Sequence, residues 1–169
     1  MEIKESWPSL LQDRLLEHGH TYRVFNSSIV GDTTEGGLVR LPRLLKEHSP
    51  EVVILELGGN DGLRGLPLQV TRANLQRMIE MSQGAGAELI LAGIKIPPNY
   101  GPTYTQQFDK IYTSLAAEYS ATLIPFFMEG VALDPELMQD DGIHPNAAGQ
   151  PILLDAVWNK LQVLIESEK

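Results

Sequence analysis

Two hydrophobic rhythms alternate along this chain, and their order predicts its architecture. Leu10, Leu11, Leu15 and Leu16 recur at helical spacing behind Ser6, a capping residue, and Pro8, which suits a first helical turn; Gly19 ends the run. Residues 22–25 read as a short strand. Leu38, Leu41, Leu44 and Leu45 mark a second amphipathic helix, closed by His48-Ser49-Pro50. Residues 52–57 are a solid, β-branched run bounded by Gly58-Gly59, the pattern of a parallel strand buried on both faces. The cycle repeats with a helix over 69–82, a strand over 88–94, a helix over 106–119 and a strand over 122–127. A last helix follows Pro145-Asn146 and carries Ile152, Leu153, Ala156, Val157, Leu161 and Leu164 on one face. Four strands alternating with helices predict an α/β fold, an open, doubly wound parallel sheet with helices on both faces, whose ligands bind beyond the carboxyl ends of the strands. The chain opens on a helix, so a further strand is expected upstream.

At 169 residues the chain matches one domain with its own core. A net charge of -9 repels phosphate backbones and anionic membrane surfaces, which argues against nucleic acid as a partner. The absence of cysteine removes disulfides, thiolate metal sites and a cysteine nucleophile together. No apolar run approaches the length of a membrane span, and Met1-Glu2-Ile3-Lys4-Glu5-Ser6 has the character of no export signal.

Three segments carry candidate chemistry. In Asp140-Asp141-Gly142-Ile143-His144-Pro145, Asp141 and His144 stand three apart on a tight turn, so the carboxylate reaches the Nδ1 hydrogen and leaves Nε2 as a general base. Pro145 biases His144 toward extended backbone. The plainer alternative is a polar helix start with a solvated histidine. Gly58-Gly59-Asn60-Asp61-Gly62 follows a buried strand, where Asn60 can offer its amide NH2 to a carbonyl oxygen gaining charge; a plain turn has the same composition. Ile29-Val30-Gly31-Asp32-Thr33-Thr34 leads into a helix, and the unobstructed Gly31 amide is a second oxyanion donor, with Asp32 or Thr33 as cap. The stretch from Ile94 through Ile96, Pro97 and Tyr100 walls an acyl or aryl pocket or packs at the rim. Asp134, Asp140, Asp141 and His144 raise a metal site, but no ligand spacing of a known kind is present, and neither a GxxxxGK loop nor a complete GxGxxG supports a nucleotide cofactor. No cofactor or metal is expected.

Val30-Gly31-Asp32, Gly58-Gly59-Asn60-Asp61 and Asp141-Gly142-Ile143-His144-Pro145 occur in the order and spacing of the later blocks of the SGNH (GDSL) hydrolases. The chain resembles the bacterial group of multifunctional thioesterases, arylesterases and lysophospholipases, also through Trp7-Pro8, Arg40-Leu41-Pro42, Gly62-Leu63-Arg64-Gly65, Pro98-Asn99-Tyr100-Gly101 and Leu123-Ile124-Pro125-Phe126-Phe127-Met128. That resemblance implies a flavodoxin-like SGNH fold and a single hydrolase domain over 1–169. It implies that Gly31 and Asn60 are oxyanion donors, His144 is the base and then the acid, and Asp141 orients it, with Leu63 among the substrate-binding residues. The loop over 61–67 resembles a segment that adjusts to substrate in this group. The implied partner is a small-molecule ester or thioester with an acyl or aryl group; the implied protein is monomeric and periplasmic or secreted.

One block is absent. The family's nucleophilic serine stands in a Gly-Asp-Ser run at the end of its first strand, and this sequence contains no such run. The expectation is an N-terminal truncation that removes both serine and strand, leaving residues 1–169 inactive. An inactive relative or fragment that acts at most as an acyl-binding module is the alternative. Ser27 and Ser28 precede Gly31 but lack the sharp turn a nucleophile needs.

Overall fold

A computed structural model describes residues 2–166, which group into two compact units: Ser28–Phe126, and the segments on either side of it. The Ser28–Phe126 unit is built on a parallel sheet of three strands in the order β1 (Val52–Leu55), β2 (Glu88–Ala92), β3 (Thr122–Ile124). Ile54, Ile90 and Thr122 lie side by side across it. β2 is the middle strand, and Leu89, Ile90, Leu91 and Ala92 are all buried. Both connections between strands are helical crossovers, as parallel pairing requires. Between β1 and β2 run the short α3 (Gly59–Leu63) and α4 (Leu68–Gly84), and between β2 and β3 runs α5 (Pro102–Tyr119). α2 (Thr34–His48) precedes β1 and packs on α4, which packs in turn on α5. Leu41, Leu75, Met78, Ile79, Phe108 and Leu115 close over Leu89 and Leu91 from these helices. Burying one such side chain fully contributes about 1.5–3 kcal/mol.

In the other unit, α1 (Trp7–Glu17) packs on α6 (Gln150–Glu166). Ser6 caps α1 with Pro8 in the first turn, but its hydroxyl donates to the Ile3 carbonyl. The Trp7 amide is taken instead by the Gln150 side chain at 3.0 Å. Leu11 and Leu15 face the interior with Leu153, Val157 and Leu161, whereas Ile152 remains 36% exposed, so one residue of the expected apolar face turns outward.

The structure corrects several sequence expectations. Residues 22–25 do not enter the sheet, which has three strands among the described residues and not four. The Gln12 side chain brackets this segment, accepting from the Val24 amide at 2.8 Å and donating to the Tyr22 carbonyl at 3.1 Å, so a side chain takes the place of a neighbouring strand. The strands expected over 52–57, 88–94 and 122–127 pair only through Leu55, Ala92 and Ile124. β1 is half-buried at Val52, Val53 and Ile54, not buried on both faces, and among the described residues it is paired only with β2. α2 starts at Thr34, ahead of its leucines, because Thr33 caps it with its hydroxyl facing the Gly36 amide.

Candidate active site

The segment between β3 and α6 folds into a closed turn. The Gln139 amide donates to the His144 carbonyl at 2.8 Å, its side chain donates to the Pro145 carbonyl at 3.0 Å, and Gly142 adopts φ 63°. That conformation suits glycine, which has no Cβ to clash. Asp141 organises the interior of the turn. Its Oδ1 accepts from the amides of Ile143 at 2.9 Å and His144 at 3.0 Å, while Oδ2 meets His144 Nδ1 at 2.7 Å. These contacts hold the Asp141 carboxyl down from 3.8 to about 2, the His144 ring contributing most, then the His144 amide and the Ile143 amide. An ionised carboxylate only accepts, so Nδ1 carries the hydrogen and a neutral ring presents its lone pair on Nε2. The pair is open to solvent, with 59% of the His144 side chain and 44% of Asp141 exposed.

Asn146 fixes the turn against α6. Its Nδ2 donates to the carbonyls of Glu136 and Met138, and its Oδ1 accepts from the amides of Ala148 and Gly149. Asp134 and Asp140 do not join Asp141 and His144 as ligands: among the described residues no group of three or more acidic or histidine side chains is placed to hold a metal ion.

Within the Ser28–Phe126 unit, the Gly31 and Asn60 segments come together. Asn60 lies in the first turn of α3 and donates one Nδ2 hydrogen to the Asp32 carbonyl at 3.0 Å, leaving the second hydrogen for another acceptor. Gly31 adopts φ 77°, and its carbonyl accepts from Arg64 at 3.0 Å. Its own N–H has no acceptor among the described residues. The turn expected over 58–62 is thus a short helix, which opens at Gly58 with φ 112°. A Cβ on Gly58 would stand 2.3 Å from the Tyr112 hydroxyl, which is already engaged with the Leu57 carbonyl. Only glycine fits there.

The residue after Asn60 does more than complete a turn. Asp61 is 1% exposed, and its carboxylate accepts from the Thr34 amide at 2.9 Å and from the hydroxyls of Thr34 and Thr71. The sequence offers only an acidic residue between Asn60 and Gly62, and its partner lies 27 residues away. Asp61 to Leu63 are helical, so the loop expected over 61–67 is shorter at its start.

Residues 3–152 match the GDSL-like Lipase/Acylhydrolase family. The chain belongs to that family. Among curated relatives of this GDSL-type chain, Esterase TesA of Pseudomonas aeruginosa is 48% identical over 165 residues, spanning 98% of this chain and 82% of the relative. Thioesterase 1/protease 1/lysophospholipase L1 of Escherichia coli K12 is 46% identical over 168 residues, or 99% of this chain and 79% of the relative. A crystal structure of TesA superposes with a TM-score of 0.94 at 48% identity, covering 97% of this chain and 91% of that one.

The GDSL-type chain distributes its expected substrate-binding residues unevenly. Ile96 belongs to the core, 8% exposed beside Gly62 and Phe108, and Ile94 packs against the same cluster. Pro97 is exposed. Tyr100 is 36% exposed and donates its hydroxyl to the Leu63 carbonyl at 2.7 Å. Tyr104 donates likewise to the Leu66 carbonyl, and the rings of Tyr100, Tyr104 and Phe108 follow one another along one side of this loop.

Proposed function

We infer that residues 1–169 carry the general base, the orienting acid and the oxyanion donors of a serine hydrolase acting on carboxylic esters or thioesters, with the nucleophilic serine on a Gly-Asp-Ser segment outside these residues. The observation that carries this reading is the 2.7 Å contact of Asp141 with His144 Nδ1, which leaves Nε2 as the basic atom. The family match and the names of the relatives support acyl transfer to water.

In the first half-reaction the serine oxygen bonds to the carbonyl carbon of the substrate while its proton passes to His144 Nε2. Negative charge gathers on the former carbonyl oxygen, where the Gly31 N–H and the second Asn60 Nδ2 hydrogen hold it. The imidazolium returns the proton to the leaving alcohol or thiol as the C–O or C–S bond breaks. Water then attacks the acyl-serine by the same proton route, releasing a carboxylic acid and restoring the serine. Asp141 takes no proton at any stage; it holds the ring and stabilises its charged form.

The test compares residues 1–169 with the same chain extended by an N-terminal segment bearing the Gly-Asp-Ser run, using a short aryl ester and a fluorophosphonate probe. The extended chain turns the ester over and is labelled on the added serine; residues 1–169 alone do neither. His144→Ala in the extended chain lowers kcat by at least about 10³-fold. Undiminished turnover in that variant discards the assignment, and a labelled serine within residues 1–169 discards the external nucleophile.

A further inference from the structure

Among the groups that the reaction above leaves unused, the carboxylate of Asp61 is the buried one closest in sequence to the site. It lies between Asn60, whose amide is assigned to the oxyanion, and Gly62, against which Ile96 and Phe108 pack. Desolvating a carboxylate is costly unless donors surround it. Here three do: the Thr34 main-chain N–H, the Thr34 hydroxyl and the Thr71 hydroxyl.

The chemistry of this neighbourhood requires a carboxylate rather than an amide. The Thr34 hydroxyl oxygen already accepts from Asn74 Nδ2 at 3.1 Å, so its own hydrogen is turned toward Asp61. An asparagine at position 61 would direct part of its amide at groups that are themselves donating. Thr34 is the first residue of α2, where free amides and the helix dipole favour negative charge. Asp61 therefore ties the start of α2 to α3. The loop that presents Gly31 ends at that start, and Asn60 is the residue beside Asp61 on α3. Two further ties join the same segments: Arg64 at the end of α3 donates to the Gly31 carbonyl, and the Asn60 Nδ2 bond to the Asp32 carbonyl sets the direction of the remaining Nδ2 hydrogen.

We propose that Asp61 is a positioning residue which, through Thr34, fixes the Gly31 amide and the Asn60 side chain at the separation an oxyanion needs. This rests on the reading of Gly31 and Asn60 as oxyanion donors. Asp61 touches no substrate atom and acts only through its neighbours.

Two measurements test it. In isotope-labelled residues 1–169, NMR follows the two Asn60 Nδ2 protons, one bonded to the Asp32 carbonyl and one free. Asp61→Asn is expected to move the bonded proton toward the position of a solvent-exposed asparagine amide; Thr34→Val, which keeps the main-chain bond to Asp61, gives a smaller change and serves as the probe if Asp61→Asn does not fold. Unchanged Asn60 side-chain signals in a folded variant overturn the proposal. In the extended, active chain, Asp61→Asn is expected to lower kcat on the order of 10- to 100-fold with KM within about twofold. The same substitution placed on an Asn60→Ala background is expected to add clearly less than it costs alone, since the part of its effect that runs through the Asn60 amide is gone and only the part through Gly31 remains. An equal further loss on that background marks a merely structural role and overturns the proposal. Failure of the underlying reading looks different: Asn60→Ala alone then leaves kcat intact, whatever the NMR comparison gives.

Discussion

At Asp141 a single carboxylate closes a turn and orients a ring, and both tasks are lost when it takes up a proton. Its folded value, about 2, lies below the ordinary 3.8, because the His144 ring and two amides bond to the charged form. A depressed folded value means that ionised Asp141 supports the turn in full above pH 3.8, and that this support fades as pH falls through about 2. The amide signals of Ile143 and His144 are therefore expected to titrate together with a midpoint near pH 2. A midpoint at or above 3.8 removes the orienting role from Asp141. Asp141→Asn supplies the companion result: an amide can offer its NH2 to Nδ1, favouring the tautomer with the hydrogen on Nε2, and kcat is expected to fall by about 10⁴-fold while KM changes little. This pair was legible in the sequence because both residues sit in one turn, and i,i+3 spacing alone brings them within reach. Asp61 was not. Its meaning depends on Thr34, which arrives when the first turn of α2 folds onto Asp61, and no local pattern announces a partner at that distance.

Elements were legible where the chain's own periodicity decides them, and illegible where a neighbour decides them. The amphipathic helices α4 and α5 and the apolar core of β2 follow from side-chain spacing. A run such as 22–25 specifies extended backbone only; membership of a sheet is decided by what lies alongside, and here that is the Gln12 side chain. Strand ends illustrate the same limit. β2 stops at Ala92, yet the Gly93 amide still donates to the Ile124 carbonyl at 2.8 Å, so the chain leaves the sheet in close contact with the end of β3. A Cβ at Gly93 would lie 2.3 Å from the Pro125 carbonyl oxygen and 2.9 Å from that of Ile124. Both are backbone atoms, which cannot rotate aside. Gly93→Ala is expected to lower stability by roughly 1–3 kcal/mol, read from urea unfolding with an unchanged slope. Gly84→Ala is the control, since a Cβ there meets nothing within 4 Å. Equal stability of the two variants would show that β3 shifts at no cost.

Across the whole molecule, the order of the elements separates stability from chemistry. Of the residues assigned to chemistry, Asn60 comes after β1 and Asp141 with His144 after β3, whereas Gly31 precedes α2 with no strand before it among the described residues. The sheet itself is unequal. β2 is paired on both sides and its last four residues are buried, whereas β1 is paired only with β2 among the described residues and is half-buried along most of its length. Local opening of a parallel sheet starts where a strand has fewest bonds and least buried apolar surface to lose. Native-state hydrogen exchange should therefore rank the amides, with Ile90, Leu91 and Ala92 exchanging last and those of β1 markedly earlier. Gly58 and Asn60 follow closely on β1, so opening of that strand carries the Asn60 side chain with it while the β2 core stays closed. Equal protection of β1 and β2 would mean that the three strands open as one unit, and would leave the Asn60 segment no softer than the core.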